Sequence, residues 1–278
     1  MLSMKSLKSP LRYPGGKTKA LKSLDIWFPE YKELREPFLG GGSVSLHLTK
    51  KYPNKPVWVN DLYYPLYNFW TILRDAGEEL SDSILAVKNS MNGSDEAHKE
   101  LFKQIKEDIK TQDLMDAAIS FYILNKCSYS GLTENSTFSV TASRQNFTHS
   151  NIAKLKGYSQ IIKRWKITNK DYSDVILTPG EDVFVFLDPP YDIKDFLYGR
   201  NKDMHKGFSH ERFADIVDNC EHKFMVTYNV NDWITERYSK YHQQHWQLRY
   251  SLYHRKDNLK TELLVTNFPT TSSLESLL

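Results

Sequence analysis

Val183-Phe184-Val185-Phe186-Leu187-Asp188-Pro189-Pro190-Tyr191 is the stretch from which the rest of the chain is read. Its first five residues are an unbroken apolar run, too short for a buried helix and without the alternation of a half-exposed strand. They suit a strand covered on both faces in a parallel sheet. Asp188 and two prolines then end the strand, because proline has no backbone N–H to give a ladder. In open α/β sheets ligands bind beyond the carboxyl ends of strands, and Asp188–Tyr191 falls there. Asp188 can accept a hydrogen bond from an amino group, the Pro189 carbonyl offers a second acceptor, Pro190 stiffens the turn, and Tyr191 adds a flat ring. An exocyclic amine on a planar base fits two acceptors and a stacking face. Average residue usage puts this tetrapeptide in roughly one chain of this length in a thousand. An ordinary proline turn after a strand is the competing reading.

Outward from this strand, apolar runs predict further strands at Leu34–Phe38, Val57-Trp58-Val59, Lys223–Tyr228, around Trp246–Tyr253, and at Thr261–Asn267. Helices are expected at Lys17–Phe28, from Ser43, and between Ser209 and Asn219. Residues 64–128 show helical spacing and no strand, and the Ser/Thr/Asn-rich stretch Ser128–Ser150 reads as a long loop. The pattern predicts one α/β core made of residues 1–74 and 165–278, with 75–164 as a helical insertion.

Composition narrows the function class. The chain has 278 residues, 40% hydrophobic and 26% charged, which excludes wholesale disorder and small stapled folds. It has no run of about 18 apolar residues and no apolar stretch within Met1 to Pro10, so no membrane span or secretory signal is expected and the chain is placed in the cytoplasm. Cys127 and Cys220 form no CxxC and are expected to be ordinary thiols. Net charge is +3, but residues 1–24 hold six Lys or Arg and no acid, and 141–170 hold seven and no acid. By contrast 75–116 carry eleven acids against five bases, the composition of a solvated helix face. The bases of 141–170, among them Arg144, Lys154 and Lys156, are interleaved with Asn146, Phe147, Tyr158 and Trp165, a mixture suited to phosphates and bases.

A second element is Glu36-Pro37-Phe38-Leu39-Gly40-Gly41-Gly42-Ser43, a strand end, a glycine turn and a helix start. Glycines let backbone approach a ligand closely, and a helix amino terminus favours a partly anionic group. Asp61 ends the next strand about 20 residues on, where an acid can bind the hydroxyls of a ribose; a capping aspartate is the alternative. Tyr13-Pro14-Gly15-Gly16-Lys17-Thr18 tempts toward a phosphate-binding loop, but Leu11 stands where that loop needs glycine. His205 and His210 lack metal-ligand spacing and read as polar loop residues, so no metal is expected.

Where these elements coincide, the chain resembles the Dam-like family of DNA adenine-N6 methyltransferases. The resemblance rests on Tyr-Pro-Gly-Gly-Lys at 13–17, Glu-Pro-Phe-x-Gly-Gly-Gly-Ser at 36–43, Asn60-Asp61, Leu124-Asn125-Lys126 followed by Gly131-Leu132, and Asp188–Tyr191. It implies a mixed, mostly parallel, seven-stranded methyltransferase (Rossmann-like) sheet with a helical DNA-recognition insertion. It implies S-adenosylmethionine as cofactor, with Tyr13 and Lys17 at its methionine end, Pro37, Phe38, Gly40, Gly42 and Ser43 around its pocket, and Asp61 on its ribose. Asp171 with Tyr172 is similar to the acidic position that meets the cofactor adenine. Asp188, Pro189, Pro190 and Tyr191 would be catalytic and the target adenine would flip out of double-stranded DNA. Arg144, Lys154, Lys156, Tyr198 and Arg200 are the expected DNA contacts, and Phe196–Phe208 could close over the base. Within restriction-modification, a cognate restriction endonuclease would be the partner. The competing classes are a methyltransferase acting on RNA or a protein amide, and a catalytically silent DNA-binding protein.

Overall fold

The computed structural model describes residues 7–108, 113–190, 208–249 and 259–270. Seven strands form one sheet: β1 (Glu33–Glu36), β2 (Val57–Asn60), β3 (Lys166–Thr168), β4 (Val183–Leu187), β5 (Lys223–Asn229), β6 (His242–Arg249) and β7 (Leu259–Thr266). Their order is β3-β2-β1-β4-β5-β7-β6, with β7 antiparallel to both neighbours and the rest parallel. β4 sits between β1 and β5, and all five of its residues are buried, which is why its sequence is continuously apolar. The chain runs one way across the sheet from β1 to β3 and the other way from β4 to β5. That reversal opens a crevice at the carboxyl ends of β1 and β4, the place where such sheets hold ligands.

Between β2 and β3 lie α3 (Tyr64–Ser90), α4 (Asp95–Asp108), α5 (Leu114–Cys127), α6 (Val140–Asn146) and α7 (His149–Ile162). α3 has a non-helical residue at Ala76, and a Cβ on the adjacent Gly77 would collide with Ser159 Cβ of α7, so glycine is what lets the two helices touch. α7 turns Ile152, Leu155, Tyr158 and Ile162 inward, at helical spacing. These helices share one continuous apolar core with the sheet, from Phe121 and Ile152 through Trp70 to Leu34 and Phe184.

Several elements differ from the sequence reading. Ser128–Ser150 is not one long loop but two 3-10 turns, α6, and the start of α7; its Ser and Thr act as helix caps, Ser139 accepting from Ala142 N and Thr148 from Asn151 N. The expected helix Lys17–Phe28 is a 3-10 turn, Lys17–Lys19, followed by α1 (Leu21–Leu24). Three short elements carry too little pattern to read: β3, α8 (Tyr172–Leu177) and α10 (Asp232–Arg237). β6 begins four residues before Trp246, and the remainder of the expected strand lies outside the described residues. The helix expected between Ser209 and Asn219 is α9 (His210–Asp218), capped by Ser209. His210 is thus a helix residue rather than a loop residue, and its ring bonds Tyr228 Oη at 2.8 Å. Cys127 and Cys220 are free thiols, and burial pushes Cys127 up to about 11. No helix among the described residues is long and apolar enough to cross a membrane.

Candidate active site at the strand ends

Four neighbouring strands each deliver one sequence element to the same edge of the sheet. At the end of β1 the chain turns through Gly40 (φ +49°) and Gly42 (φ +66°) before α2 (Ser43–Lys51). A Cβ at Gly40 or Gly41 would lie 2.7 or 2.9 Å from the Tyr13 side chain, so the turn is backbone packed under an aromatic residue. Gly42, the residue before α2, supplies no side-chain cap. Glu36 does this from β1, its carboxylate accepting from Ser45 N at 3.0 Å and from Ser45 Oγ. Burial pushes Glu36 up to about 8, against the Ser45 hydrogen bonds, with the negative charges of Asp188 and Asp61 adding to the rise. Ser43, at the helix start, is buried and shares a hydrogen bond with Thr18 at 2.8 Å. Pro37 passes its carbonyl to Asn60 Nδ2 at 3.2 Å, which ties β1 to the end of β2.

Asp61 follows β2 directly. One carboxylate oxygen accepts from Gly40 N at 2.9 Å and the other from Tyr63 N at 3.0 Å. The residue therefore does cap a turn, and it also tethers the glycine turn of the next strand. Burial raises it to about 6, against the two backbone hydrogen bonds. After β3, Asp171 caps α8 through Ser173 N and pairs with Arg212 at 2.9 Å. Burial acts to raise Asp171, but bonds from Arg212 and Ser173 outweigh it and hold the carboxyl below its ordinary range. Tyr172, Phe38, Phe208 and Phe213 form an aromatic cluster with ring centroids 5.3 to 5.9 Å apart. Phe38 and Phe208 are only partly covered, leaving part of two ring surfaces for a flat ligand beside Asp61 and Asp171.

At the end of β4, Asp188 Oδ1 accepts from Lys17 Nζ at 2.7 Å and from Thr227 Oγ1 at 2.8 Å. Lys17 is buried, and Glu262 on β7 approaches it at 3.9 Å. Lys17 thus stands on Asp188. Thr227 and Glu262 did not emerge from the sequence; the available signal was a fully buried hydroxyl or acid inside an apolar strand, a pattern that needs sheet register to interpret. Register sets Leu187 beside Val226 and Tyr228 beside Leu263, which puts the neighbours of these residues at the lysine. Pro189 and Pro190 follow Asp188 within the described residues; Tyr191, Tyr198, Arg200, His205 and most of Phe196–Phe208 lie outside them.

The basic residues of the helices are differently placed. Arg144 pairs with Asp95 at 2.5 Å, Lys156 with Asp82 at 2.7 Å, and Lys154 bonds Asn151 at 3.2 Å. The charges of Arg144 and Lys156 are balanced by Asp95 and Asp82 of the acidic stretch that the sequence shows as a separate block.

The chain resembles known proteins across most of its length. A model of the D12 class N6 adenine-specific DNA methyltransferases matches residues 13–252. A type II methyltransferase of Methanocaldococcus jannaschii is 28% identical over 200 residues, covering 66% of this chain and 69% of that one. A type II methyltransferase of Paramecium bursaria Chlorella virus NC1A is 26% identical over 263 residues, covering 88% and 91%. A DNA adenine methylase of Vibrio cholerae serotype O1 is 23% identical over 192 residues, covering 68% and 66%.

Proposed function

The chain belongs to the D12 class N6 adenine-specific DNA methyltransferases, and on that premise we propose that its strand-end site binds S-adenosylmethionine over the glycine turn and methylates an adenine held on Asp188 and Pro189. The residues present fit that cofactor. The Gly40–Gly42 turn puts backbone rather than side chains under Tyr13, Asp61 sets a carboxylate beside it for a ribose, and Phe38 offers an aromatic face for an adenine. Tyr13 covers Gly40 and Gly41, and Lys17 follows it to Asp188, so this pair would hold the methionine portion. When bound, S-adenosylmethionine supplies a methyl group made electrophilic by a positive sulfur, so binding and transfer are expected to need no divalent ion.

The chain's own residues prepare the amine. Adenine N6 is a poor nucleophile because its lone pair is spread into the ring. Asp188 and the Pro189 carbonyl accept the two N6 hydrogens, localise that pair, and face the positive charge that builds on nitrogen. Lys17 and Thr227 hold Asp188 through one oxygen, so the carboxylate is oriented before the base arrives. On taking up the methyl group the amine would shed one N6 hydrogen as a proton, and Asp188 would be the adjacent base to receive it. The amine is inaccessible in a duplex, so the adenine flips out, with Tyr191 as its stacking platform.

The observation that carries this reading is the placement of Asp188-Pro189 at the crevice beside the β1 glycine turn, on a carboxylate already held by Lys17. Helices α3 to α7 are proposed to read the DNA, and the two similar type II methyltransferases favour work beside a cognate restriction endonuclease. Methyl transfer from labelled S-adenosylmethionine to duplex DNA, RNA and protein, with chelator present, tests the assignment. Transfer to adenine in duplex DNA is expected; transfer confined to RNA or protein, or a strict metal requirement, overturns it.

A further inference from the structure

The lysine that stands on Asp188 hangs from a strap that is fastened inside the helical region. Along residues 8–12, Tyr158 of α7 donates its hydroxyl to Lys8 O, Lys126 of α5 donates to Pro10 O, and Asn125 of α5 grips Arg12. The Asn125 grip is double: Oδ1 accepts from Arg12 N at 2.9 Å and Nδ2 donates to Arg12 O at 2.8 Å and to Gly131 O at 3.2 Å. One buried amide thus replaces the strand neighbour that Arg12 lacks, which among short side chains only asparagine can do, having a donor and an acceptor in one plane. Gly131 closes the other side, since a Cβ there would lie 2.5 Å from Arg12 O. Arg12 Nη1 adds a bond to Ser128 O at 2.7 Å. The next residue, Tyr13, lies on the Gly40–Gly41 backbone, and Gly16 N closes the turn on Tyr13 O at 3.1 Å, leading to Lys17 on Asp188.

We propose that Asn125 is a positioning residue for methyl transfer: by fixing Arg12 it sets the register of the Tyr13–Lys17 turn and so the place of Lys17 on Asp188. It touches neither the cofactor pocket nor Asp188 itself, and it sits on a helix of the region proposed to read DNA, so the same bond makes those helices and the catalytic centre one mechanical unit. A staple that served stability alone would alter melting and leave the chemical step of the folded enzyme untouched.

The inference rests on the methyl-transfer reading of the Asp188 site, and the experiment separates the two. Single-turnover methylation of an adenine duplex is measured at saturating cofactor and DNA for the full chain, Asn125→Ala, Lys17→Ala and the double variant. Asn125→Ala is expected to slow the chemical step by about tenfold or more, as small misplacements near reacting groups do, with DNA affinity close to parental. The loss should vanish in the Lys17→Ala background, because the two residues act in series. Gly131→Ala presses on Arg12 from the opposite side and serves in the same cycle where Asn125→Ala does not fold. A parent that leaves duplex adenine unmethylated overturns the methyl-transfer reading and this inference with it. An active parent whose Asn125→Ala or Gly131→Ala variant keeps the parental rate, or shows a loss that adds to that of Lys17→Ala, overturns the role of Asn125 alone.

Discussion

The carboxyl edge of the sheet and the helices α3 to α7 are built on different terms. At the sheet edge each element follows a strand by one to six residues: Asp61 after β2, Asp171 after β3, Asp188 after β4, the glycine turn after β1. Local sequence is nearly sufficient there, because a strand end has a fixed place in the sheet and whatever follows it emerges at the crevice. In the helices no residue is placed by its immediate neighbours in that way. Two of the seven bases in one block meet two of the eleven acids in the other across helices, Arg144 on Asp95 and Lys156 on Asp82, so part of the charge that the sequence shows as separate blocks is paired in the fold. A charge run is evidence about partners only after the fold has shown which charges already neutralise each other. Exposed pairs of this kind contribute little to stability because water and salt screen them, so DNA phosphates can compete for their bases.

The contrast breaks most visibly at Asp188. If the sheet edge is the chemical end of the molecule, Asp188→Ala should lose methyl transfer by about 100- to 1000-fold in single-turnover assays, the usual worth of one preorganised polar group, while the fold and most cofactor binding survive. A near-parental rate would move the chemistry away from β4.

Asp61 tests the cofactor half of the same edge. Asp61→Ala should weaken S-adenosylmethionine binding by about 1.5–3 kcal/mol in calorimetry. Because burial raises this carboxyl to about 6, the parental affinity should climb as pH rises through that value and the charged acceptor forms, and Asp61→Asn should flatten the curve. Equal affinities at all pH values would leave Asp61 with Gly40 and Tyr63 as its only business.

Glu36 sharpens the comparison by stability rather than activity. Its carboxyl is raised to about 8 in the fold from an ordinary value of 4.5, so between those values the folded chain binds more protons than the unfolded chain. The sign follows: the Glu36 contribution is complete below the lower value and is lost as pH rises toward the higher one. Glu36→Gln, which keeps an acceptor for Ser45, should therefore flatten the fall in melting temperature between pH 4.5 and about 8. A parallel fall in both proteins would show that the Ser45 bonds already hold Glu36 charged.

The smallest effect concerns the helices. Asp82→Asn together with Asp95→Asn frees Lys156 and Arg144 and should steepen the salt dependence of DNA binding by up to about 0.9 for each additional phosphate neutralised. Replacing Arg144, Lys154 and Lys156 by Ala should flatten it. Salt slopes unchanged in both variants would place this face away from the DNA.

The sequence by itself determined the parallel core and most of its crevice. A strand buried on both faces must be continuously apolar, a turn with positive φ favours glycine, and a residue that directly follows a strand emerges at the sheet edge, so β4, Gly40–Gly42, Asp61 and Asp188-Pro189 are all written locally. Three-residue β3 and the helices hidden in Ser128–Ser150 were not legible, since short elements show no period and Ser or Thr caps a helix as readily as it fills a loop. Only tertiary structure decided which distant groups meet: Lys17 with Asp188, 171 residues apart, Thr227 on the same oxygen, and Asn125 on Arg12. Those pairings depend on sheet order and helix packing, and the spacing of residues along a chain carries no trace of which strand will lie beside which.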